Sequence, residues 1–283
     1  YQVVRNGEDN KTTPTTFPFI NYSAGTQKIG KTKYNQKVSF YNIFRDTATS
    51  AHAQQQQKIY HNLSTDYEFY KLKSKMNFKT ELLSQFYNIE NKKVISESDY
   101  SGTYSRIFPM SGLIIETPII NRKKNLSIVP SLSFIVNGSQ PSSNKVSNEE
   151  STNNSYSLLN VGALNRYTGT DKLDNSKRVN YGIGLNKDPF KFSLSQSYEF
   201  DANSNYNKDV GLKDYMSDLL GSFAFNGINN IIDHNFRFNV DQGLIKSQGL
   251  SYKNTNKIGQ SVISYYQERV ENNSILESGS ETL

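Results

Sequence analysis

Cysteine and tryptophan are absent from the 283 residues, and histidine occurs only three times. Without cysteine the chain can form neither a disulfide nor a thiolate metal site. His52, His61 and His234 lie far apart and lack the short spacing of metal ligands, so we expect no metal. The lack of disulfides is compatible with a reducing compartment and equally with a periplasmic or surface protein.

Long hydrophobic runs are also missing. Hydrophobic residues make up 35% of the chain, whereas aromatic residues reach 12%, with 19 Tyr and 16 Phe. This composition is thin for a thick soluble core and favours a wall one residue deep, apolar on one face and polar on the other. No apolar run approaches the roughly 20 residues of a membrane helix. A transmembrane β-barrel remains possible, because the signal of each strand is far weaker.

The formal net charge is +6 and the lysines are spread along the whole chain. A solvated basic surface and an anion-facing lumen or surface both explain this balance. Nucleic-acid binding is a third explanation, but the spread of the lysines does not favour it, and we expect no nucleic-acid partner.

No pattern of catalytic residues is visible. No serine stands in the context of a nucleophile elbow. The glycines of residues 182–184 lack the third glycine of a dinucleotide fingerprint and lie inside an alternating stretch. Asp171 and Asp174 could form a Ca²⁺ or acid/base pair, but we expect them to cap a turn or to pair with Arg166 or Arg178. We therefore expect a protein that is not an enzyme and holds no cofactor.

The clearest alternation covers residues 71–82, with polar side chains at odd positions and mostly apolar ones at even positions. In an extended chain successive side chains point to opposite faces, so this pattern predicts one strand, about 40 Å long. Its lysines share one side, which is either the wet face of a soluble sheet or the lumen of a barrel. We favour the lumen, and the candidates for lumen charge are Lys71, Lys73, Lys75 and Lys79.

Similar alternation recurs along the chain and predicts about 12 to 14 strands linked as a meander, with no helix. The predicted fold class is all-β, an antiparallel transmembrane β-barrel of which this chain is a part. We expect residues 1–33 to be a lead-in or edge segment and residues 34–283 to belong to a large outer-membrane barrel. The chain begins without Met and ends without an identifiable closing strand, so we expect a fragment.

Residues 137–155 are rich in Ser, Asn and Glu and are predicted to be a mobile loop. A further strand is expected between this loop and residue 165. Alternation of short turns and long loops would then place the loop that begins at residue 165 on the short-turn rim of the barrel. Either a strand has been miscounted or this stretch folds into the lumen, and we favour the second interpretation.

The least generic stretch reads Asn165-Arg166-Tyr167-Thr168-Gly169-Thr170-Asp171-Lys172, followed by Arg178-Val179-Asn180-Tyr181-Gly182. It resembles the signature NR(F/Y)SG-x-DR…R-x-x-YG of the lipopolysaccharide-assembly outer-membrane protein family, LptD, also called the organic solvent tolerance protein. Thr168 replaces the usual Ser, and Lys172 replaces the usual Arg.

Three flanking stretches are similar to further segments of that family and occur in the right order. Residues 104–109 contain an R-x-x-P segment, and residues 126–130 resemble the family's hydrophobic-x-P strand. Residues 216–221 contain an SD-x-x-G segment. The residues that carry the resemblance are Asn165, Arg166, Gly169, Asp171, Arg178, Tyr181, Gly182 and Asp218.

The resemblance implies an outer-membrane barrel of about two dozen strands in a Gram-negative bacterium, preceded by a periplasmic jelly-roll domain. Its partners would be lipopolysaccharide, a plug lipoprotein in the lumen, periplasmic lipopolysaccharide-bridge proteins and outer-membrane lipid. The implied function is transport of lipopolysaccharide to the outer leaflet. The cysteines that tie barrel to jelly roll in some members are absent. A general diffusion porin and a soluble β-sandwich binding module are the alternatives.

Overall fold

A computed structural model describes residues 11–94, 99–139, 145–151, 156–202, 211–212 and 215–269, and the backbone of Leu276–Thr282. Across these residues the structure contains fourteen strands, one 3₁₀ turn at Arg122–Lys124 and no α-helix, so none of its helices is long and apolar enough to cross a membrane. The strands are β1 (Thr15–Ile29), β2 (Thr32–Phe44), β3 (Gln55–Lys71), β4 (Ser74–Lys92), β5 (Tyr100–Glu116), β6 (Ile119–Asn121), β7 (Leu126–Asn137), β8 (Lys177–Lys187), β9 (Phe190–Glu199), β10 (Leu219–Asn226), β11 (Asn230–Asn239), β12 (Leu244–Thr255), β13 (Gln260–Arg269) and β14 (Leu276–Thr282).

All fourteen strands belong to one antiparallel sheet. They follow one another in sequence order from β1 at one edge to β14 at the other, and the short β6 pairs only with β7. The predicted all-β meander is therefore confirmed. The two edge strands do not pair with each other, so the described sheet is open, as expected for part of a barrel.

The two faces of the sheet differ sharply in polarity. On the outer face, directly paired apolar side chains of β3 and β4 are exposed, namely Ile59 with Phe86, Leu63 with Leu82 and Tyr67 with Phe78. One position away the pairing brings Lys58 against Tyr87, and both are buried on the inner face. We define the inner face as the one that the connection between β7 and β8, residues 138–176, covers. The wall of one residue's thickness expected from the composition is thus present.

Long and short connections lie at opposite ends of the sheet. The four longest connections, residues 45–54, 93–99, 138–176 and 200–218, all lie at one end, and the turns at the other end are short. Outer-membrane barrels have this asymmetry, with short periplasmic turns and longer extracellular loops.

The prediction of one strand over residues 71–82 is wrong. β3 ends at Lys71, Leu72 and Lys73 form a turn with φ of 51° and 61°, and β4 begins at Ser74. Such a two-residue turn is usually marked by Asn-Gly or Gly, and here it is formed by Leu-Lys, so the alternation runs through the reversal without a signal. The lysine stripe therefore divides between two strands and their turn.

The strand expected before residue 165 is also wrong, since residues 157–176 form turns and irregular structure. The strand was miscounted, and residues 138–176 form a single connection at the long-loop end. The same connection nevertheless packs onto the inner face, as the favoured interpretation predicted. Its described residues 145–151 contact the rest of the chain: Ser147 is buried and accepts a hydrogen bond from Ala53 N at 2.7 Å. Residues 140–144 and 152–155 of the predicted mobile loop lie outside the described residues.

Candidate functional site

The connection 138–176 folds back on itself at Gly169. This glycine has a φ of 74°, and a Cβ atom there would lie 2.5 Å from the carbonyl oxygen of Glu150. Ser151 Oγ accepts hydrogen bonds from the backbone amides of Asp171 at 2.8 Å and Lys172 at 3.0 Å. Only glycine lets the two passes of the connection approach this closely, which explains the glycine of the motif.

Asp174 is the centre of the first buried ionic cluster. Its carboxylate accepts hydrogen bonds from Arg166 Nε at 2.8 Å and from Arg178 Nη1 at 3.1 Å. Arg166 also donates to Glu199 at the end of β9, and Ser176 Oγ donates to the same glutamate at 2.6 Å. The side chains of Arg166, Asp174, Arg178 and Glu199 are at most 4% exposed.

Asp171 is the centre of a second cluster, which joins the connection to β3 and β4. Asp171 Oδ1 accepts from Lys58 Nζ at 2.8 Å and from the Tyr87 hydroxyl at 3.2 Å. Its Oδ2 accepts from the backbone amides of Glu149 at 2.9 Å and Glu150 at 3.2 Å. Lys58 Nζ also donates to Glu150 and lies 5.5 Å from the centre of the Tyr41 ring, within cation–π distance. Asp171 therefore links three segments of chain.

Arg106 extends the second cluster to β5. It donates to the carbonyl oxygens of Thr170 at 3.0 Å and Asp171 at 2.7 Å, and to Gln85 Oε1 at 2.5 Å. Gln85 in turn donates to the Thr170 carbonyl at 2.8 Å. Backbone carbonyls that a strand would pair within a sheet are satisfied here by side chains of the inner face, as burial requires.

Both clusters balance charge among their own residues. In the first, Arg166 and Arg178 face Asp174 and Glu199; in the second, two cations face two carboxylates. Ion pairs that are this buried are strongly destabilised when one partner is removed. The arrangement therefore anchors the connection on the inner face.

A third ionic contact fastens the start of the connection to the loop after β2. Glu149 lies 2.7 Å from Arg45 Nη2 and 3.3 Å from His52 Nδ1. Burial alone would raise the pKa of the Glu149 carboxyl, but the hydrogen bonds from His52 and Arg45 outweigh that effect and hold the pKa below its usual value. The pKa of Glu150 is likewise lowered against its burial, by the charge and hydrogen bond of Lys58.

Apolar contacts complete the attachment. Leu173 packs with Tyr60, Leu83, Phe108 and Met110 of the inner face of β3 to β5. Tyr156 and Tyr167 pack with Leu212 and Leu220 toward β10. The connection is thus seated on both halves of the sheet.

The predicted motif residues divide between these clusters and other places. The expected pairing of Arg166 and Arg178 with a motif acid is confirmed for Asp174, whereas Asp171 pairs with Lys58. Asn165 Oδ1 accepts from the Tyr167 amide at 3.3 Å. A Cβ atom at Gly182, on the inner face, would lie 2.8 Å from the Leu194 carbonyl oxygen.

Tyr181 and Asp218 stand apart from both clusters. Tyr181 is on the outer face, 40% exposed, and donates to Gln196 Oε1 at 2.7 Å. Asp218 lies before β10, 3.6 Å from Arg237 Nε, and accepts from Asn239 Nδ2 at 2.7 Å. Burial raises the pKa of Asp218, against the opposing charge of Arg237.

The candidate lumen lysines also separate. Lys75 and Lys79 have the same strand parity as the buried Gln85 and Tyr87, so they lie on the inner face, and Lys75 pairs with Glu68 at 3.0 Å. Lys71 and Lys73 lie at the turn between β3 and β4. The three histidines lie in different elements, each beside a different polar side chain.

Several residues of the two clusters are not indicated by any sequence pattern. Lys58, Tyr87, Glu149 and Glu199 are distant from the motif and match no pattern of their own. Arg106 alone had a signal, because it is the arginine of the R-x-x-P segment in residues 104–109.

Two cavities flank the connection on the inner face. The first, of about 560 Å³, lies toward β2 to β4 and is lined in part by Lys79, Asn165 and Gly169. The second, of about 880 Å³, lies toward β8 to β13 and is lined in part by Leu158 and Arg237.

An antiparallel meander with exposed apolar side chains outside, and a connection held by buried charges inside, defines this chain as part of an outer-membrane-type β-barrel wall. The chain belongs to the LptD family, because the family model described as LPS transport system D matches residues 1–281. No curated protein gives a significant match. The family acts in lipopolysaccharide transport and assembly at the outer membrane of Gram-negative bacteria.

Proposed function

We propose that this chain forms part of a β-barrel translocon that inserts lipopolysaccharide into the outer leaflet of the outer membrane. The observation that supports this most strongly is the match to the LptD family over residues 1–281, along a sheet that is apolar outside and polar inside. Membership of the family indicates that the cargo is lipopolysaccharide, and the two-faced sheet can form a wall between lipid and water.

The proposed mechanism uses the difference between the two faces. Lipopolysaccharide has an anionic, hydrophilic head and apolar acyl chains. The head passes along the inner face, where Lys75 and Lys79 supply positive charge, while the acyl chains stay in contact with lipid. Such transport needs no covalent step and no cofactor, so we propose that the protein is not an enzyme.

The proposed partners follow from the family. They are lipopolysaccharide, outer-membrane lipid, a plug lipoprotein in the lumen and the periplasmic proteins that deliver lipopolysaccharide. The location is the outer membrane of a Gram-negative bacterium, with residues 34–283 in the barrel and residues 1–33 as a lead-in or edge segment. The short turns would face the periplasm and the long connections the exterior.

The two alternative functions, a soluble β-sandwich binding module and a general diffusion porin, require different surroundings for the outer face of the sheet. A soluble β-sandwich would cover its apolar face with a second sheet, whereas Ile59, Phe86 and Ile107 are exposed on the single described sheet. A general diffusion porin shares the two-faced wall, and the family match argues against it.

The decisive experiment is depletion of the full-length protein while newly made lipopolysaccharide is followed to the cell surface. We expect its surface delivery to stop while other barrels still insert normally. Unchanged surface lipopolysaccharide combined with reduced uptake of small solutes would refute the proposal and identify a porin. Recovery of the full-length protein in the soluble fraction would favour the binding module.

A further inference from the structure

Positive charge is concentrated at the short turns of the sheet. These turns and the residues that flank them form what we call the cationic rim: residues 29–32, 71–73, 119–125, 187–190, 227–229 and 256–259. The cationic rim carries eight basic side chains and one acidic one, whereas the whole chain has a net charge of only +6. The four longest connections, at the opposite end of the sheet, carry seven basic and eleven acidic side chains. The two ends of the sheet therefore have opposite net charge.

The basic side chains of the cationic rim are available to a partner. They are Lys31, Lys71, Lys73, Arg122, Lys123, Lys124, Lys187 and Lys257, and all eight are exposed. The exposed ion pairs of the described residues, Lys75 with Glu68 and Lys177 with Asp201, involve none of the eight. Their charge is therefore directed to the surroundings of the protein.

The charge is densest at the 3₁₀ turn Arg122–Lys124. Asn121 Oδ1 accepts a hydrogen bond from the amide of Lys124 at 3.2 Å, and Asn125 reverses the chain with a φ of 48°. Asn125 Nδ2 also donates to Asp188 Oδ2 at 2.9 Å, which joins this turn to the next one along the sheet. Asp188 is the one acid of the cationic rim, so three adjacent cations are held together on a fixed turn with a single carboxylate beside them.

Each of the six short turns also presents a large apolar side chain. These side chains are Ile29, Leu72, Ile119, Ile120, Phe190, Ile228 and Ile258, and each is at least 45% exposed. Turns that face water are usually formed by Gly, Pro, Asn, Asp and Ser. Apolar side chains beside lysines are instead typical of segments that lie at a membrane surface, where the apolar groups enter the lipid and the lysine amines stay at the head groups.

The spacing of the turns favours an extended anionic surface as the partner. Neighbouring turns are two strands apart, about 10 Å, so the cations do not converge on one small anion. This spacing is similar to the Debye length of about 8 Å at physiological salt, so the turns act together on a charged surface. An acidic protein would provide the charge, but it would leave the apolar tips in water.

We propose that the cationic rim binds the anionic phospholipid head groups of the leaflet that the short turns face, with its apolar tips inserted among them. The exposed apolar outer face continues into the cationic rim, since Tyr67 and Phe78 lie beside the turn at 71–73. The inference rests on the proposed location in the outer membrane with the short turns toward the periplasm. Its consequence is that lipid contacts fix the height of the barrel wall in the membrane.

The test is native mass spectrometry of the purified full-length protein in detergent micelles that contain phosphatidylglycerol or the zwitterionic phosphatidylcholine. The parent should retain phosphatidylglycerol in preference to phosphatidylcholine, and added salt should reduce this preference. Lys123→Gln combined with Lys124→Gln should require about tenfold more phosphatidylglycerol for equal occupancy. Lys93→Gln combined with Arg269→Gln is the matched control, because it removes two exposed cations at the opposite end of the sheet, and it should bind like the parent.

A second variant leaves every charge in place and changes only the apolar tips. Ile228→Asn combined with Ile258→Asn should weaken retention of both lipids by about threefold to tenfold, because less apolar surface enters the lipid. Val240→Asn is the control, since Val240 is exposed at the opposite end of the sheet, and it should retain both lipids like the parent.

Four results would overturn the inference. They are equal retention of the two lipids by the parent, equal losses in the two lysine and arginine double variants, unchanged retention by the tip variant, and displacement of phosphatidylglycerol by polyglutamate at equal charge. The last result would identify an acidic protein surface as the partner. Loss of the lipid preference with lipopolysaccharide delivery still dependent on the protein refutes only this inference, whereas retained preference with delivery unaffected by depletion refutes the proposed function.

Discussion

Asp171 and Asp174 are three residues apart and have separate roles. Asp174 pairs with Arg166 and Arg178, which are near it in sequence, and so shapes the motif itself. Asp171 pairs with Lys58, 113 residues away, and so attaches the motif to the sheet. Because each acid has its own cation, loss of one cannot be compensated by the other.

Asp171→Ala should therefore destabilise the fold. It leaves Lys58 buried with Glu150 as its remaining carboxylate and removes the acceptor of two backbone amides, which costs about 3–5 kcal/mol by analogy with broken buried pairs. We expect lower barrel yield and a lower melting temperature in detergent. Asp201→Ala is the control, since Asp201 forms an exposed 3.1 Å pair with Lys177 and should cost about 1 kcal/mol or less. Normal stability with blocked transport would instead mean that Asp171 contacts the cargo.

The contact of Glu149 with Arg45 and His52 should depend on pH. The folded-state pKa of Glu149 is lowered, so its contribution to stability is present above the ordinary pKa of about 4.5 and is lost as the pH falls through the folded value. Glu150 changes in the same direction. Strand β4 serves as the internal reference. Below about pH 4.5, we expect amide hydrogen exchange in residues 145–151 to become faster relative to exchange in β4. Glu149→Gln should reduce this acid sensitivity, and an identical pH profile in that variant would contradict the assignment.

At the scale of elements, the turn between β3 and β4 decides which lysines face inward. Lys75 and Lys79 follow the reversal and alternate with the outer-face Phe78, whereas Lys71 and Lys73 are at the turn. A two-residue turn is therefore enough to separate four regularly spaced lysines into two groups with different environments.

We predict that Lys75→Glu combined with Lys79→Glu slows surface delivery of lipopolysaccharide by about threefold to tenfold, because attraction of the anionic head is replaced by repulsion. The pair Lys71→Glu and Lys73→Glu changes the net charge equally and should have little effect. Folding should survive the first change, since the Lys75–Glu68 pair is exposed and contributes little. Pulse-labelled surface lipopolysaccharide is the measurement, and equal rates in both double variants would exclude a role for inner-face charge.

The connection 138–176 acts as an element in its own right, although it contains no described strand or helix. It is attached to β3 through Lys58, to β5 through Arg106 and to β9 through Glu199. These attachments explain why a stretch of low hydrophobicity is ordered where the structure describes it: side-chain hydrogen bonds and charges replace the apolar burial that it lacks.

At the scale of the whole molecule, the sheet combines nearest-neighbour pairing with a few very distant contacts. Each strand pairs with strands next to it in sequence, β6 aside, so most of the sheet is formed by local hairpins. In the second buried cluster, side chains of β3 to β5 contact residues of the connection that are 64 to 113 positions away. Because distant contacts form only after the intervening strands are arranged, we infer that the connection is seated late in folding.

The sequence alone determined the all-β class, the meander, the two-faced wall and the family, because alternation with a period of two and a short signature are local properties. It also indicated Gly169 and the pairing of Arg166 and Arg178 with a nearby acid. Only the tertiary structure decided that Asp171 binds Lys58, that Leu72 and Lys73 form a turn, and that residues 138–176 are one connection on the inner face. These features depend on which strands become neighbours and on where the chain reverses, and a pattern of alternating residues records neither.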